Sequence, residues 1–523
     1  TTGRWVSSFM LRRQCLSCLD EAWRWITKHE FMRHKTKLGA AVREELLMCM
    51  MSVPLIASDM RRPLDGRPIA TDASERGGGV SVGVALTQEG FLAAVQHAAV
   101  PAALHERGVI VVEFFGGIGG LRMSVGRLGI HVCAGGYSES DKEARSVYRR
   151  NWAGDLEWPD VVKVGRKELE DLRRAAPGAT AVVAAFGSVC QGVSGLKRDG
   201  AGLVDPRSAL FFEVPRLQAE LRVVFHALPV LDFCENVASM TTKDAVVMSE
   251  AQARHPLCID SAGISTVARP RLYWPSFSVA ETVGVHIVPG DLVDLVELDA
   301  PVEPRELWLD QGRLWNAPME RRLPTFTRAI PRVRPGSDPR GLEHCDAVTL
   351  EHWSEDLHRY GPYQYKAEFR IERDRSAPLG ETLSPGVWPP VANASEREIL
   401  MGFWPGYTLG GKRDLHSLQP HERHELEDRR CAQIGNAFHT GVTAWLVGQG
   451  LHSAGLLPQA PPPKAIQDIF YKYAAKRKEY MLEQTRLDRE IPAMQRFSAL
   501  VRPASDKSSD ELMESLMLDV PSS

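Results

Sequence analysis

Val109-Ile110-Val111-Val112-Glu113-Phe114-Phe115-Gly116-Gly117-Ile118-Gly119-Gly120 reads as an apolar strand, a glycine turn and the start of a helix. The helical pattern continues through Leu121, Val125 and Leu128 until Gly129 stops it, and Ile130 to Ala134 forms a second apolar run. Strand, glycine turn, helix and strand in that order make the opening unit of an α/β fold. Glycines let the backbone approach a ligand closely, and the helix start offers free N–H groups. Alone, the turn is either a nucleotide-type loop or a tight strand-to-helix connection.

Working outward, Glu139 follows the second strand about 20 residues on, where an acidic side chain can accept both ribose hydroxyls of an adenosyl ligand. The other reading is a solvated helix-start carboxylate. Asp160, after Pro159, is either a partner for an adenine amino group or a turn aspartate. Ala181 to Ala185 is a further apolar run, read as a buried parallel strand, and Phe186-Gly187-Ser188-Val189-Cys190-Gln191-Gly192-Val193-Ser194 follows it. A thiol on a glycine-flanked turn at a strand's carboxyl end is where an α/β fold exposes a nucleophile. Val230 to Cys234 is another apolar strand, ending in Glu235-Asn236-Val237. That places a carboxylic acid, a candidate general acid, at a second strand end. In Val267-Ala268-Arg269-Pro270-Arg271-Leu272-Tyr273-Trp274, two arginines at period two share one face. Such a face holds a carbonyl oxygen or phosphate and orients a carboxylate, unless it is a solvated strand edge.

The rest of the chain bounds the answer. Its 523 residues suffice for two to four domains, and 44% hydrophobic with 25% charged residues is the composition of a soluble globular protein. A net charge of −3 provides no general basic field, so any nucleic-acid surface must be local. Nine scattered cysteines argue for a reducing compartment rather than a disulfide framework. Cys15 and Cys18 form a lone C-x-x-C without a partner pair, so no metal site is expected. No apolar run reaches the roughly 20 residues of a membrane span. The chain opens on Thr1, and a fragment of a longer protein is expected.

The organisation reads as follows. Residues 1–100 hold helices followed by a β-rich stretch; 108–278 are the main α/β part; 279–394 are irregular and rich in Pro, Trp and Arg; 395–452 close the α/β part. A Pro-rich linker at 453–465 leads to a charged helix and a polar tail at 466–523, with Lys476-Arg477-Lys478 read as a solvated face.

These segments, in this order, resemble the cytosine-5 DNA methyltransferase family. Phe115 to Gly120 is similar to its S-adenosylmethionine loop, and Tyr137-Ser138-Glu139-Ser140-Asp141-Lys142 to its second motif. Val189-Cys190-Gln191 stands where the family has Pro-Cys-Gln, with Ser194 downstream, and Glu235-Asn236-Val237 matches its Glu-Asn-Val. Asp205 to Glu213 resembles the helix after the mobile catalytic loop, and Arg269-x-Arg271 resembles the arginine pair. Tyr273-Trp274 is nearest the de novo-type eukaryotic enzymes. Arg397-Glu398 with Met401 to Pro405 is similar to the ninth motif, and Gln433 to Phe438 to the last. Val189, Val267 and Ala437 depart from the usual Pro, Gln and Ser.

The resemblance implies a class I S-adenosylmethionine-dependent methyltransferase: a Rossmann-like mixed sheet with helices on both faces and a smaller, irregular target recognition domain. It implies Cys190, Glu235, Arg271 and Arg269 as catalytic residues acting on a flipped cytosine. It implies S-adenosylmethionine bound by Phe115, Gly117, Gly119, Gly120, Glu139, Asp160, Leu210, Asn436 and Ala437. Double-stranded DNA would be the partner, contacted by Ser194 and by Arg321, Arg322, Arg328 and Arg332, with Trp315, Phe326 or Tyr360 filling the gap left by the base. A nuclear location follows from that substrate. Methylation of tRNA by one branch of the family, and a decayed DNA-binding relic, are the alternatives. Upstream, Thr71-Asp72-Ala73-Ser74 and Gly77-Gly78-Gly79-Val80 resemble the first strand of a retroelement ribonuclease H, without its later carboxylates. An inactive remnant within a retrotransposon polyprotein is expected.

Overall fold

The structure is a computed structural model; it describes residues 106–194, 201–327, 342–376, 386–409 and 417–471, positions 42, 43, 104, 383, 384, 415, 478 and 482, and the backbone of 69–74 and 77–82. The chain divides into two units, residues 100–492 and residues 1–99 with 493–523. In the second of these, strands β1 (Ile69–Ser74) and β2 (Gly77–Val82) pair antiparallel, with Asp72 opposite Gly79. The other expected features of that unit lie outside the described residues.

The larger unit is built on one nine-stranded sheet. Its strands are β3 (Val109–Phe114), β4 (Val132–Ser138), β5 (Leu156–Trp158), β6 (Ala181–Phe186), β7 (Val230–Val237), β8 (Leu257–Asp260), β9 (Pro270–Pro275), β10 (Val285–Val288) and β11 (Asp294–Leu298). Their spatial order is β10-β11-β8-β9-β7-β6-β3-β4-β5. Strands β5, β4, β3, β6 and β7 run parallel, while β9 runs against both β7 and β8. A parallel run that reverses in its next-to-last core strand is the sheet of the class I methyltransferases.

Every residue of β3 and β6 is buried, as strands covered on both faces require. Alternate side chains feed two cores. Val109, Val111, Val183 and Phe233 pack with Leu121, Trp445 and Leu446; Ile110, Val112, Phe114 and Val182 pack with Leu169, Leu217 and Met248. The covering helices on the second face are α3 (Arg166–Ala175), α4 (Glu213–Val224) and α5 (Thr242–Gln252). On the first lie α1 (Gly120–Arg127) and, from the far end of the chain, α9 (Thr440–Ser453). Helix α2 (Lys142–Asn151) follows β4.

The sheet runs on past residue 278. Val285-His286-Ile287-Val288 pairs with β11, and β11 with β8, so the first twenty residues of the expected irregular segment extend the main sheet. The remainder contains α6 (Ala347–Glu355) and a two-residue strand pair, β12 (Arg313–Leu314) with β13 (Glu372–Arg373). It shares one core with the closing part: Trp308, Trp315, Phe326, Trp353 and Tyr360 are buried with Ile399, Phe403 and Ile434. The closing helices are α7 (Ala394–Leu400), α8 (Pro420–Asn436) and α9. Residues 463–471 are also helical, and Ile466, Phe470 and Tyr471 lie in the same core. Lys478 is buried too, its ammonium donating to the Leu309 carbonyl and 3.6 Å from Asp310, so the expected solvated basic face does not include it.

Helix α7 carries three consecutive charges, Glu396, Arg397 and Glu398, all fully buried. Glu396 accepts from Arg313 Nε at 3.1 Å, and the Arg313 guanidinium also donates to the carbonyls of Pro389 and Val391, both at 2.8 Å. Removing one partner of such a pair leaves an uncompensated buried charge. Arg313→Met should therefore lower stability by about 3–5 kcal/mol in urea unfolding, with part of the loss recovered in Arg313→Met/Glu396→Leu.

His439, at the start of α9, is buried with Nε2 donating to the Leu400 carbonyl at 3.0 Å and Nδ1 accepting the Val442 N–H at 3.3 Å. Burial, helped by Arg269, pushes the imidazole down from 6.5 to about 3. Between those values the unfolded chain binds a proton that the folded chain refuses, so stability falls as pH drops from 6.5 toward 3. The thermal midpoint of His439→Gln should fall less than that of wild type over this window.

Candidate active site

The crevice lies where the chain turns from building outward through β3, β4 and β5 to building the other way through β6 and β7. At such a switch point the connections after adjacent strands go to opposite faces of the sheet, which is where a ligand site is expected. The glycine turn and the segment of Cys190 follow these two strands.

On one side stands the glycine turn. Phe115, Gly117 and Gly119 adopt positive φ of 54°, 56° and 91°. The strain is held by hydrogen bonds: Gly116 N–H to the Ser138 carbonyl (3.0 Å), Gly119 N–H to the Gly116 carbonyl (2.9 Å) and Tyr137 Oη to the Gly117 carbonyl (2.5 Å). Glu139 accepts the Gly117 N–H at 3.0 Å and the Asp141 N–H at 2.8 Å, so its carboxylate bridges the turn and the start of α2. A Cβ on Gly117 would meet nothing within 4 Å, whereas one on Gly120 would come within 3.0 Å of Phe438. Phe438 also lies 3.1 Å from the Cβ position of Gly187, so the predicted last motif does return to the crevice.

Four further expected cofactor residues are placed as follows. Asp160 caps the turn Val161–Lys163 by accepting the Val162 N–H at 3.1 Å. Leu210 is half-buried in the turn Ser208–Phe212, whose Phe211 packs with Phe114 and Phe186. Asn436 is exposed, while Ala437 is buried and its carbonyl is held by Arg269.

On the other side stands the thiol. Cys190 follows β6 by four residues, and its carbonyl accepts the N–H groups of Val193 (3.2 Å) and Ser194 (2.9 Å). The turn lacks the proline that would fix φ at position 189. Instead Asn236 Nδ2 donates to the Ser188 carbonyl (3.3 Å) and to Ser188 Oγ (3.0 Å), tying the turn to β7. Gly192 is pressed against Ser208, Asp205 and the Gly202 carbonyl, where a Cβ would come within 2.7 Å of each. Sequence reasoning missed this duty of Asn236, although its place beside the acid was a signal.

Glu235 and Arg271 meet because β7 and β9 run antiparallel with Glu235 opposite Tyr273 and Val237 opposite Arg271. Arg271 is thus the diagonal neighbour of Glu235 on one face, and Arg271 Nε lies 2.9 Å from Glu235 Oε1. Arg269 does not join them directly. It precedes β9 and donates to the carbonyls of Gly435 (3.1 Å) and Ala437 (2.7 Å), leaving buried Nε and Nη1 without partners. Burial, then repulsion by Arg271, pushes its guanidinium down to about 10.

The recognition-segment arginines divide. Arg321 donates to Glu368 at 2.9 Å and stacks on Phe369; Arg322 donates to the Ala262 carbonyl at 3.1 Å. Both are engaged within the protein, and Arg328 and Arg332 lie outside the described residues. Trp315, Phe326 and Tyr360 are at most 3% exposed, so none is placed to enter a duplex; the shared core has taken their apolar area.

The glycine turn, Cys190 and the Glu235–Arg271 pair thus stand along one mixed α/β sheet. Residues 109–251 match the family model of the C-5 cytosine-specific DNA methylases, and that stretch carries Cys190, Glu235 and the glycine turn. No functionally curated protein matches the chain. Among solved structures it is similar to a DNMT2 mutant of Spodoptera frugiperda (13% identity, 65% of this chain and 99% of that one, TM-score 0.37) and to S. pombe Dnmt2 methyltransferase (15%, 66% and 98%, 0.39). It is likewise similar to a DNA modification methyltransferase encoded within an E. coli prophage, described there as a putative one (16%, 66% and 98%, 0.38).

Burial pushes the Cys190 thiol above its ordinary value and the Glu235 carboxylate pushes it further, while Arg271 and Arg269 pull it back. The resting sulfur is therefore a thiol near neutral pH. Glu235→Gln should shift the pH profile of Cys190 alkylation by iodoacetamide toward lower pH, and Arg271→Ala toward higher pH, as read by mass spectrometry of the Cys190 peptide.

Proposed function

We propose that this protein transfers a methyl group from S-adenosylmethionine to carbon 5 of cytosine in double-stranded DNA, through a covalent adduct on Cys190. The observation that carries the reading is the convergence of Cys190 with the Glu235–Arg271 pair at the switch-point crevice whose other wall is the glycine turn.

The turn fits the methyl donor. With the Gly117 carbonyl taken by Tyr137, the N–H of the same trans peptide, that of Ile118, points the opposite way. Gly117 leaves open space, and Ser138 Oγ is buried without a partner at the end of β4. Glu139 would take the ribose hydroxyls. When bound, S-adenosylmethionine supplies an electrophilic methyl carbon.

The Cys190 thiol gives up its proton to the Glu235 carboxylate as its sulfur adds to carbon 6 of the cytosine, and the electron pair of the 5,6 double bond moves toward carbon 5. Glu235 passes that proton to ring nitrogen 3, so that no full negative charge develops on the ring. Arg271 holds Glu235 in place, and the two unpartnered donors of Arg269 offer a seat for the carbonyl oxygen. Once carbon 5 carries the methyl group, its proton leaves, the double bond re-forms and the thiolate departs. The base must leave the duplex stack to reach the sulfur. A nuclear location follows from that substrate, and carriage in a retroelement remains our reading of the strand pair β1–β2.

Duplex DNA containing 5-fluorocytosine tests this directly, because fluorine cannot leave as a proton and the adduct is frozen. Wild type with S-adenosylmethionine should give a denaturation-resistant DNA adduct; Cys190→Ala should give none, and Glu235→Gln should slow its formation by about 10²–10⁴-fold. Adduct on 5-fluorocytosine-containing tRNA and none on DNA would establish the RNA reading, and no adduct on either would establish the decayed relic.

A further inference from the structure

The glycine turn is clamped from a second direction. Tyr407 Oη donates to the Ile118 carbonyl at 2.5 Å, across 289 positions of sequence, and accepts the indole N–H of Trp152 at 2.8 Å. A Cβ on Gly119 would come within 3.1 Å of that hydroxyl. The other clamps on the turn come from neighbouring strand β4 or from the turn itself. Tyr407 arrives from the closing segment, which also brings Phe438 against Gly120, and among the described residues it is that segment's hydrogen-bond donor to the turn.

Its own position is unusually well determined. Glu398 of α7 accepts the N–H of Gly406 at 2.7 Å and of Thr408 at 2.8 Å, gripping the chain on both sides of Tyr407. Arg430 lies 3.2 Å from Glu398 and donates to Thr408 Oγ1 at 3.0 Å. Asn151 Nδ2 donates to the Tyr407 carbonyl at 3.2 Å, and Phe403 and Trp404 pack on its ring. A buried carboxylate, a buried guanidinium and three aromatic rings therefore serve to aim one hydroxyl at one carbonyl of the turn.

We infer that Tyr407 is a positioning residue for the methyl donor: it sets the orientation of the peptide between Ile118 and Gly119 and so the shape of the donor seat. The inference rests on the turn being the S-adenosylmethionine site. A phenylalanine keeps the ring and its packing but leaves the Ile118 carbonyl and the Trp152 N–H unbonded, and the left-handed turn relaxes. Donor binding weakens because the seat must then be ordered at the ligand's expense.

The test is calorimetric titration of the full chain with S-adenosylmethionine, followed by methyl-transfer kinetics. Tyr407→Phe should raise the donor Kd about tenfold, the equivalent of one or two hydrogen bonds, and raise the donor KM in parallel. At saturating donor kcat should stay within about twofold of wild type. Trp152→Phe, which removes the second hydrogen bond to the hydroxyl and trims the ring that Trp404 and Arg122 pack on, should change Kd in the same direction by less. An unchanged Kd in Tyr407→Phe, or a fall in kcat with Kd and KM unmoved, overturns the inference while the donor-site reading stands. If wild type itself does not bind S-adenosylmethionine, both fall together.

Discussion

A single reversed strand sets the chemistry of this protein. Were β9 parallel to β7, Arg271 would not fall on the diagonal of Glu235, and the acid would stand at the strand end without its cation. The antiparallel register makes the pairing a property of the backbone rather than of flexible side chains. It also leaves the residues before β9 where Arg269 reaches the end of helix α8. From that one pairing follow the position of the acid, the field at Cys190 and the attachment of the closing segment.

Much of this could be read before any coordinates. Val109 to Gly120 announces strand, turn and helix because its apolar run, glycines and renewed helical period are all local signals. The thiol and the acid could be read for the same reason, since each ends an apolar strand. What escaped reading was decided by contacts between distant residues. Trp315, Phe326 and Tyr360 look like surface aromatics in an irregular stretch, yet they fill a core shared with helices a long way downstream. Arg313, Arg397 and Arg430 look like surface basic residues, yet they neutralise buried carboxylates or cap carbonyls. Lys478 sits in a charged run that reads as solvated, and is buried against the carbonyl of Leu309. Residue type and spacing alone do not say which arginine has an acid waiting for it in the interior.

The same buried charges explain why the closing segment is so polar in sequence and so hidden in space. Buried ion pairs cost desolvation and add little net stability, but they tolerate few alternative arrangements. Helix α7 is fixed from one side by Arg313 and from the other by Arg430, and Arg397 lies over the rings of Phe326 and Tyr360 at 4.7 and 4.2 Å. The irregular segment and the glycine turn are thus attached to opposite sides of one helix.

Helix α9 has its own consequence. Ser124 of α1 donates to the carbonyl of Thr440, 316 residues away, and α9 is buried along nearly its whole length against the face that β3 and β6 present. During synthesis that face emerges from the ribosome early and waits for α9 before it can be covered. High contact order of this kind slows folding and leaves apolar strands open to association, which makes the nascent chain a natural client for chaperones.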